Sequence, residues 1–207
     1  MSKTIIFWDF DGVMADSTPF VFNYWREAFA DQGVIFTRED YSKTFDHKFP
    51  FEYLTETYGD MALQIKEDYS AYETAHYPAE VEFFDGIKPV IQYADQHFRN
   101  VIISSNLAVV IKPCLERQGL DHVFEYVVGR ETPGYKDEKI RAFCQKEGLE
   151  PSDGYFIGDT ISDMEHAHKV GTRSIAVTWG VHNRARLETC QPDVIVDDVE
   201  ALFNCLI

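Results

Sequence analysis

Short apolar runs that end in polar residues occur at the start of the sequence and throughout its second half. Residues 4–8 (Thr-Ile-Ile-Phe-Trp) lead directly into an Asp-Phe-Asp-Gly segment, which predicts a buried strand followed by an acidic loop. From about residue 84, similar runs predict strands at 101–103, 123–128, 155–157, 174–178 and 194–196. Amphipathic stretches predict helices at 86–97, 107–118, 136–147, 161–170 and 198–206, with a bend or a late start at Pro113. This alternation predicts an α/β protein with a doubly wound parallel sheet.

Residues 18–82 follow a different pattern, in which no strand is predicted. Large side chains recur there at helical spacing, namely Phe22, Trp25, Phe29, Met61, Ile65, Tyr69, Tyr72 and His76. This spacing indicates a small helical module whose aromatic residues pack between helices. We therefore predict an α/β core of residues 1–16 and 84–207 and an α-helical cap of residues 17–83. Because the module directly follows the first strand, it is expected to cover the carboxyl edge of the sheet.

Composition and charge narrow the range of partners. The chain has 207 residues, 45% of them hydrophobic and 26% charged, as in ordinary globular proteins of one or two domains. Its formal net charge of −16 argues against binding to nucleic acid or to an anionic membrane. No apolar run has the length of a membrane span, the N-terminal residues do not resemble a secretory signal, and the four cysteines are widely spaced. We expect a cytoplasmic protein with reduced thiols, either a monomer or a homodimer.

Polar side chains follow three of the predicted strands at the points where these strands end. They are Asp9 and Asp11, then Ser105 and Asn106, then Asp159 and Asp163. Ligands bind beyond the carboxyl ends of the strands in such a sheet, so these side chains are expected to form one site. Taken singly, Asp159 suits a helix N-cap and Asp163 a solvated acid in a first helical turn. Carboxylates gathered at one edge would repel one another, however, and the cluster therefore favours a hard cation such as Mg²⁺.

An acidic site that holds Mg²⁺ suits the chemistry of phosphate esters. Aspartate is a covalent nucleophile in phosphoryl transfer, and a second carboxylate two residues later suits a general acid/base, as in Asp9 and Asp11. The Ser105 hydroxyl, the Asn106 amide and a buried cation would hold the remaining phosphoryl oxygens. Lys136 is the candidate for that cation because it follows a turn-rich stretch at a helix start, although by itself it also suits a surface lysine.

These motifs, in this order, resemble those of the haloacid dehalogenase-like hydrolases. The sequence is most similar to the phosphatase branch with a helical cap after the first motif, which includes phosphoglycolate phosphatases. The resemblance covers essentially the whole chain. It rests on residues 9–17 (Asp-Phe-Asp-Gly-Val-Met-Ala-Asp-Ser), the strand ending at Ser105-Asn106, Lys136, residues 158–163 (Gly-Asp-Thr-Ile-Ser-Asp) and residues 177–180 (Val-Thr-Trp-Gly).

The resemblance implies a catalytic role for four of these side chains. Asp9 would be the nucleophile, and Asp11 would be the general acid/base. Ser105 and Lys136 would hold the transferring phosphoryl group. Ser105 is chosen because the hydroxyl of this family directly precedes the position that Asn106 holds here.

The resemblance also implies a Mg²⁺ site built from aspartates. Asp9 and Asp159 would contribute carboxylates, and Asp11 would contribute its backbone carbonyl. Asp163 would orient the water molecules on the metal and pair with Lys136.

The expected function is a Mg²⁺-dependent phosphatase that hydrolyses a small phosphorylated metabolite through an aspartyl-phosphate. A phosphotransferase or sugar-phosphate mutase would share the first half-reaction, but the mutases of the family carry a histidine where this chain has Val21. The dehalogenases of the family lack the second carboxylate, which is present here as Asp11. A receiver-like phospho-acceptor module would share the acidic pocket but would not explain the helical module.

Substrate choice in similar enzymes lies largely in the cap. The most suggestive cap segment is residues 44–50 (Thr-Phe-Asp-His-Lys-Phe-Pro), in which His47 and Lys48 are candidates for binding a carboxylate or a second phosphate on the leaving group. A solvated loop would suit this segment equally well. A contact at the rim of the site could also come from His182, Asn183, Arg184 and Arg186, but a solvated helix start suits them better.

Overall fold

A six-stranded parallel sheet forms the centre of the protein. The computed structural model describes residues 4–46 and 49–207. The strands are β1 (Ile5–Trp8), β2 (Arg99–Ile103), β3 (Tyr126–Val128), β4 (Gly154–Gly158), β5 (Arg173–Val177) and β6 (Val194–Val196). They lie in the order β3-β2-β1-β4-β5-β6, and every pair of neighbours is parallel. This confirms the predicted α/β fold with a doubly wound sheet, because the chain moves outward from β1 in both directions.

Ten α-helices accompany the described strands. They are α1 (Thr18–Asp31), α2 (Arg38–Lys43), α3 (Pro50–Tyr58), α4 (Asp60–Glu80), α5 (Ile87–His97), α6 (Ala108–Gln118), α7 (Lys136–Glu147), α8 (Ile161–Val170), α9 (Arg184–Leu187) and α10 (Val199–Leu206). None of the helices in the described residues combines the length and the apolar composition that a membrane span requires.

The central strand is apolar throughout because helices cover both faces of the sheet. All four residues of β1 are buried, and their side chains alternate between two hydrophobic clusters. Ile6 and Trp8 pack with residues of α5, α6 and α10, whereas Ile5 and Phe7 pack with residues of α7 and α8. A continuous apolar run is therefore what this position in the sheet requires.

Helices α1 to α4 lie between β1 and α5, and we call them the helical insertion. They have a hydrophobic cluster of their own, with Trp25, Phe29, Phe36 and Tyr69 among its buried side chains. Among the described residues of this segment there is no strand, as predicted. The two ends of the insertion leave the sheet side by side, since Ala15 forms an antiparallel bridge with Phe83. The division into a core and a cap at residues 16/17 and 83/84 stays a prediction.

Two details differ from the predicted elements. Strand β3 begins only at Tyr126, because the buried Val123 and Phe124 belong to the turn before it. Helix α6 begins at Ala108 and continues through Pro113, so the predicted late start is wrong. The proline removes the bond to the carbonyl of Val109, but Val109 is exposed, and water can replace that bond.

Candidate active site

The loops after β1, β2 and β4 meet beneath the helical insertion. Between them and the insertion lies a cavity of about 800 Å³, whose lining includes Asp9, Ser105, Lys136 and Asp159. Asp9 directly follows the last residue of β1, and Asp159 directly follows the last residue of β4. The parallel sheet thus brings the sequence-predicted residues together at the carboxyl edge of its central strands.

A buried lysine lies between two aspartates at the floor of the cavity. Lys136, the first residue of α7, has its Nζ 2.7 Å from Asp9 Oδ2 and 2.6 Å from Asp163 Oδ1. All three side chains are buried. Burial alone would lower the pKa of Lys136, but the two carboxylates raise it above its usual value, so the ammonium is retained. Burial raises the pKa of Asp9 to about 7, although Lys136 opposes this shift.

Asp163 holds the beginning of α8 against the site. The N-cap of this helix is Thr160, not Asp159, and Asp163 is buried rather than solvated, so neither of the two alternative interpretations applies. Asp163 Oδ2 accepts hydrogen bonds from the Thr160 hydroxyl (2.7 Å) and from the Asp159 and Thr160 amides. Burial acts to raise the pKa of Asp163, but Lys136 and the hydrogen bond from the Thr160 hydroxyl lower it overall. Asp163 is therefore an anion that positions Lys136.

Asp159 has one carboxylate oxygen without a partner. Its Oδ2 accepts a hydrogen bond from the Val181 amide (2.7 Å), but its buried Oδ1 has no hydrogen bond within the described structure. Burial and the neighbouring carboxylates raise the pKa of Asp159 well above its usual value. Two glycines leave room for the Asp159 carboxylate. A Cβ at Gly12 would lie only 2.1 Å from Asp159 Oδ2, and a Cβ at Gly180 only 2.2 Å from it.

The three buried aspartates fit a metal ion. Asp9, Asp159 and Asp163 each offer a carboxylate oxygen, and these oxygens lie within 4.8 Å of one another. Buried polar atoms normally have partners, so the unpartnered Asp159 Oδ1 indicates that a ligand belongs there. An all-oxygen donor set suits Mg²⁺ rather than a softer metal.

Asp11 is held apart from this cluster by residues that reach it from two directions. The Tyr77 hydroxyl of α4 donates a hydrogen bond of 2.5 Å to Asp11 Oδ1, and Asn106 Nδ2 donates to Oδ2 at 3.3 Å. Asp11 is half-buried and lines the cavity. Its carboxylate is thus oriented by the loop after β2 and by the helical insertion together.

The loop after β2 carries two serines with different surroundings. Ser104 is fully buried, and its hydroxyl accepts a hydrogen bond from the backbone amide of Asn106 (3.0 Å). Ser105 is only half-buried, and it lines the cavity. The buried Lys139 fixes this loop by donating to the backbone carbonyls of Ser104 (3.3 Å) and Gly129 (2.9 Å). Burial lowers the pKa of Lys139 to about 8.

Several residues of the site are not apparent from the sequence alone. Tyr69, Glu73 and Tyr77 recur every four residues, so they lie on one face of α4, and this face points to the strand ends. The Tyr69 hydroxyl donates to Glu73 Oε1 (2.9 Å), and Arg130, in the loop after β3, donates to Glu73 Oε2 (3.2 Å). The spacing of four was a usable signal, but it did not reveal which side chains would meet the loops of the sheet.

The segment after β5 differs from its predicted role. His182 is fully buried rather than solvated; its Nδ1 accepts from the Ile161 amide and its Nε2 donates to the Ser42 carbonyl. Arg186 contacts Asp46 in the insertion at 2.5 Å, so the interpretation as a solvated helix start is wrong for these two residues. It fits Asn183 and Arg184, which are exposed. His182 was misjudged because its partners lie far away in the sequence.

Two of the sequence-predicted substrate-binding residues, His47 and Lys48, lie outside the described residues. Their role stays a prediction.

Comparison with known proteins agrees with the fold and with the motifs at the site. Residues 5–177 match the profile of the family described as haloacid dehalogenase-like hydrolase. The chain belongs to this family, which confirms the resemblance inferred from the sequence motifs.

Curated relatives are similar to this chain in sequence, and solved structures are similar to it in fold. A phosphoglycolate phosphatase of Synechococcus elongatus is 31% identical over 105 residues, which are 51% of this chain and 50% of the relative. A phosphoglycolate phosphatase of Mannheimia succiniciproducens is 24% identical over 70% of this chain and 66% of its own length. The chain therefore matches about half to two thirds of these relatives. A haloacid dehalogenase-like hydrolase from Streptococcus pneumoniae has a TM-score of 0.85 at 23% identity, with 99% of both chains covered, and shows the same fold.

Proposed function

We propose that the protein is a Mg²⁺-dependent phosphatase that hydrolyses a small phosphorylated metabolite through an aspartyl-phosphate. The observation that carries this proposal is the position of Asp9, whose carboxylate lies 2.7 Å from the buried Lys136 ammonium at the floor of the cavity. The unpartnered Oδ1 of Asp159 beside it supports a bound cation. The names of the curated relatives, phosphoglycolate phosphatases, support the same reaction class.

In the first half-reaction, an oxygen of Asp9 attacks the phosphorus atom of the ester. A new oxygen–phosphorus bond forms as the bond from phosphorus to the leaving alcohol breaks. Asp11 acts as the general acid in this step and donates a proton to the leaving oxygen. The hydrogen bonds from Tyr77 and Asn106 orient the Asp11 carboxyl for this transfer.

In the second half-reaction, a water molecule attacks the phosphorus atom of the aspartyl-phosphate. Asp11 removes a proton from this water and is thereby returned to its starting state. The bond between Asp9 and phosphorus breaks, and inorganic phosphate leaves. One pair of aspartates two residues apart thus provides both the nucleophile and the acid/base.

The remaining residues of the site neutralise and position the phosphoryl group. Lys136, Ser105 and the Asn106 amide would bind its oxygens, and Asp163 would keep Lys136 in place. Asp9, Asp159 and the Asp11 carbonyl would hold Mg²⁺, which when bound supplies charge that offsets the repulsion between a carboxylate and a phosphate.

The test is release of inorganic phosphate from a broad panel of phosphate monoesters, with and without Mg²⁺. Asp9→Asn should abolish metal-dependent release, and Asp11→Asn should lower kcat by about 10²- to 10⁴-fold. Asp16→Asn is a matched control, because Asp16 belongs to the same motif but is exposed and does not line the cavity. If Asp9→Asn retained wild-type turnover, the proposed nucleophile would be wrong.

The same assay separates the rival functions that share an aspartyl-phosphate. A phosphotransferase or mutase would move the phosphoryl group to a second sugar hydroxyl faster than to water. A receiver-like module would accumulate a stable phosphoprotein without turnover. Rapid release of phosphate to water would exclude both as the main activity.

A further inference from the structure

The cavity is far larger than a phosphoryl group needs. Its volume of about 800 Å³ falls in the range of pockets that enclose drug-sized ligands. The strand ends and their acidic cluster form only its floor. The rest of the cavity is available to the alcohol part of a substrate, so the side chains there bear on which alcohol is accepted.

The wall opposite the strand ends is aromatic. Three half-buried rings of the helical insertion, Phe45, Phe49 and Phe51, line it, and the buried rings of Trp25, Tyr41 and Tyr69 lie behind them. Trp25 lies at their centre, with ring centroids 5.2 Å from Phe51, 5.9 Å from Tyr69 and 6.4 Å from Phe45, the last in a parallel arrangement. Because these rings hold one another in place, the wall is organised before any ligand binds.

The two cations described on this side of the cavity already have contacts within the protein. The Arg130 guanidinium, which lines the cavity, pairs with Glu73 at 3.2 Å. Glu73 also accepts the Tyr69 hydroxyl, so both of its oxygens are engaged. Lys66, the other cation on this side in the described part of the chain, lies 6.0 Å from the Phe51 ring centroid.

Carboxylates outnumber cations on this side of the cavity. The described lining residues beyond the strand ends include the acids Glu52, Glu56 and Glu73 against the cations Lys66 and Arg130. A leaving group with a carboxylate or a second phosphate would therefore meet no excess of positive charge there. An uncharged group would not incur this cost, and a flat apolar ring would gain contact with the aromatic wall.

We propose that the alcohol part of the substrate is an uncharged group that carries a planar ring, bound against the aromatic wall. This inference rests on the proposed phosphatase function, because it assumes that the phosphoryl group is held at the strand ends. It predicts a different preference from the one expressed in the names of the curated phosphoglycolate phosphatases, whose named substrate has a small carboxylate as its leaving group. The rival possibility is that His47 and Lys48 provide the missing positive charge.

The first test compares esters of primary alcohols, so that the leaving oxygen keeps similar reactivity. They are 3-phenylpropyl phosphate, propyl phosphate and phosphoglycolate. The ring should raise kcat/KM by about tenfold or more over propyl phosphate, as expected from burying an aromatic side group. Phosphoglycolate should be no better than propyl phosphate. A preference for phosphoglycolate that is lost in a His47→Ala, Lys48→Ala double variant would overturn the proposal in favour of the rival.

A pair of variants on one helix tests the wall itself. Phe51 and Tyr58 are both half-buried aromatic residues of α3, but only Phe51 lines the cavity. Phe51→Leu should reduce the preference for the phenyl ester several-fold, whereas Tyr58→Leu should leave this preference unchanged. Equal effects of the two substitutions would contradict the assignment of the wall.

A binding measurement keeps this inference separate from the proposed function. The compounds 3-phenylpropylphosphonate and propylphosphonate have no ester bond to hydrolyse. Calorimetry with Mg²⁺ present therefore measures their binding affinity alone. Tighter binding of the phenyl compound, again by about tenfold, would support the aromatic site even if no ester were turned over. Turnover of the esters together with equal binding of the two phosphonates would overturn this inference and leave the phosphatase proposal intact.

Discussion

At the scale of single residues, Glu73 is a buried acid outside the aspartate cluster, and its protonation makes the stability of the protein depend on pH. Burial raises the pKa of Glu73 to about 7, although Arg130 acts in the opposite direction. Between the ordinary value of 4.5 and about 7, folded Glu73 keeps a proton that the unfolded chain releases. The free energy of unfolding therefore falls as pH rises through this window.

Glu73→Gln should remove this contribution, because glutamine does not titrate. Relative to the wild type, the variant should gain on the order of 2 kcal/mol in free energy of unfolding between pH 5 and pH 8. Urea unfolding at several pH values measures the difference. Glu67→Gln, on the exposed side of the same helix, is the control and should follow the wild type. Parallel pH profiles for the wild type and Glu73→Gln would show that Glu73 keeps its ordinary pKa in the folded protein.

At the scale of elements, helix α4 gives the insertion a direct part in orienting the acid/base. Tyr77 is fully buried, and its hydroxyl donates to Asp11 at 2.5 Å. If the Tyr77 hydroxyl were removed, the Asp11 carboxylate would keep, among the described contacts, only the longer hydrogen bond from Asn106 Nδ2, 3.3 Å. A hydrogen bond to a charged group contributes about 1.5–3 kcal/mol, which corresponds to roughly ten- to hundredfold in rate if it is formed in the transition state.

Tyr77→Phe should accordingly lower kcat by about ten- to hundredfold while changing KM little. The ring that fills the core is retained, so the melting temperature should shift by only a few degrees. Tyr72→Phe, five residues earlier on α4 and without a described contact to Asp11, should leave kcat unchanged. Steady-state kinetics on the best ester of the panel decides the matter; an equal loss in both variants would point to a general effect on the helix.

The elements of the sheet were predictable from sequence because of where they lie. Strands covered on both faces need continuous apolar runs, and these runs identify β1, β2 and β4 together with the polar residues that follow them. The boundaries of an apolar run locate the strand ends less well. Strand β3 begins later than predicted, because the buried residues of the turn before it are as apolar as strand residues. Contacts such as those of Tyr77 and His182 depend on segments distant in the chain, so no local pattern could reveal them.

At the scale of the whole molecule, the insertion is fastened over the strand ends by contacts on several sides. One is the face of α4, and another is Tyr135, which donates to Glu52 at 2.7 Å. A third joins Arg186 to Asp46. The chain enters and leaves the insertion through adjacent segments, in which the Asp16 amide donates to the Glu82 carbonyl. We infer a hinge at these segments, residues 15–19 and 80–86, about which the insertion opens and closes.

The contact between Arg186 and Asp46 offers a test of this closure, because helix α9 contains its own control. Arg186 reaches across to the insertion, whereas Arg184 pairs with Asp197, which follows β6. Arg186→Met should raise amide hydrogen exchange in residues 38–46 by roughly five- to tenfold, as expected for the loss of an ion pair contributing about 1 kcal/mol. Exchange in β1 and β4 should not change.

The kinetic consequence follows from the role of closure, which excludes water and completes the site. If the closed state is the reactive one and is mostly populated, kcat/KM follows the closed fraction, so Arg186→Met should lower kcat/KM by less than about twofold while exchange in residues 38–46 rises. Arg184→Met should change neither quantity. Among the described residues, its side chain contacts Asp197, the Ile195 carbonyl and Glu188, all of which lie outside the insertion. If Arg186→Met lowered kcat/KM by as much as it raised exchange in residues 38–46, its effect on the reaction would not be explained by the population of the closed state.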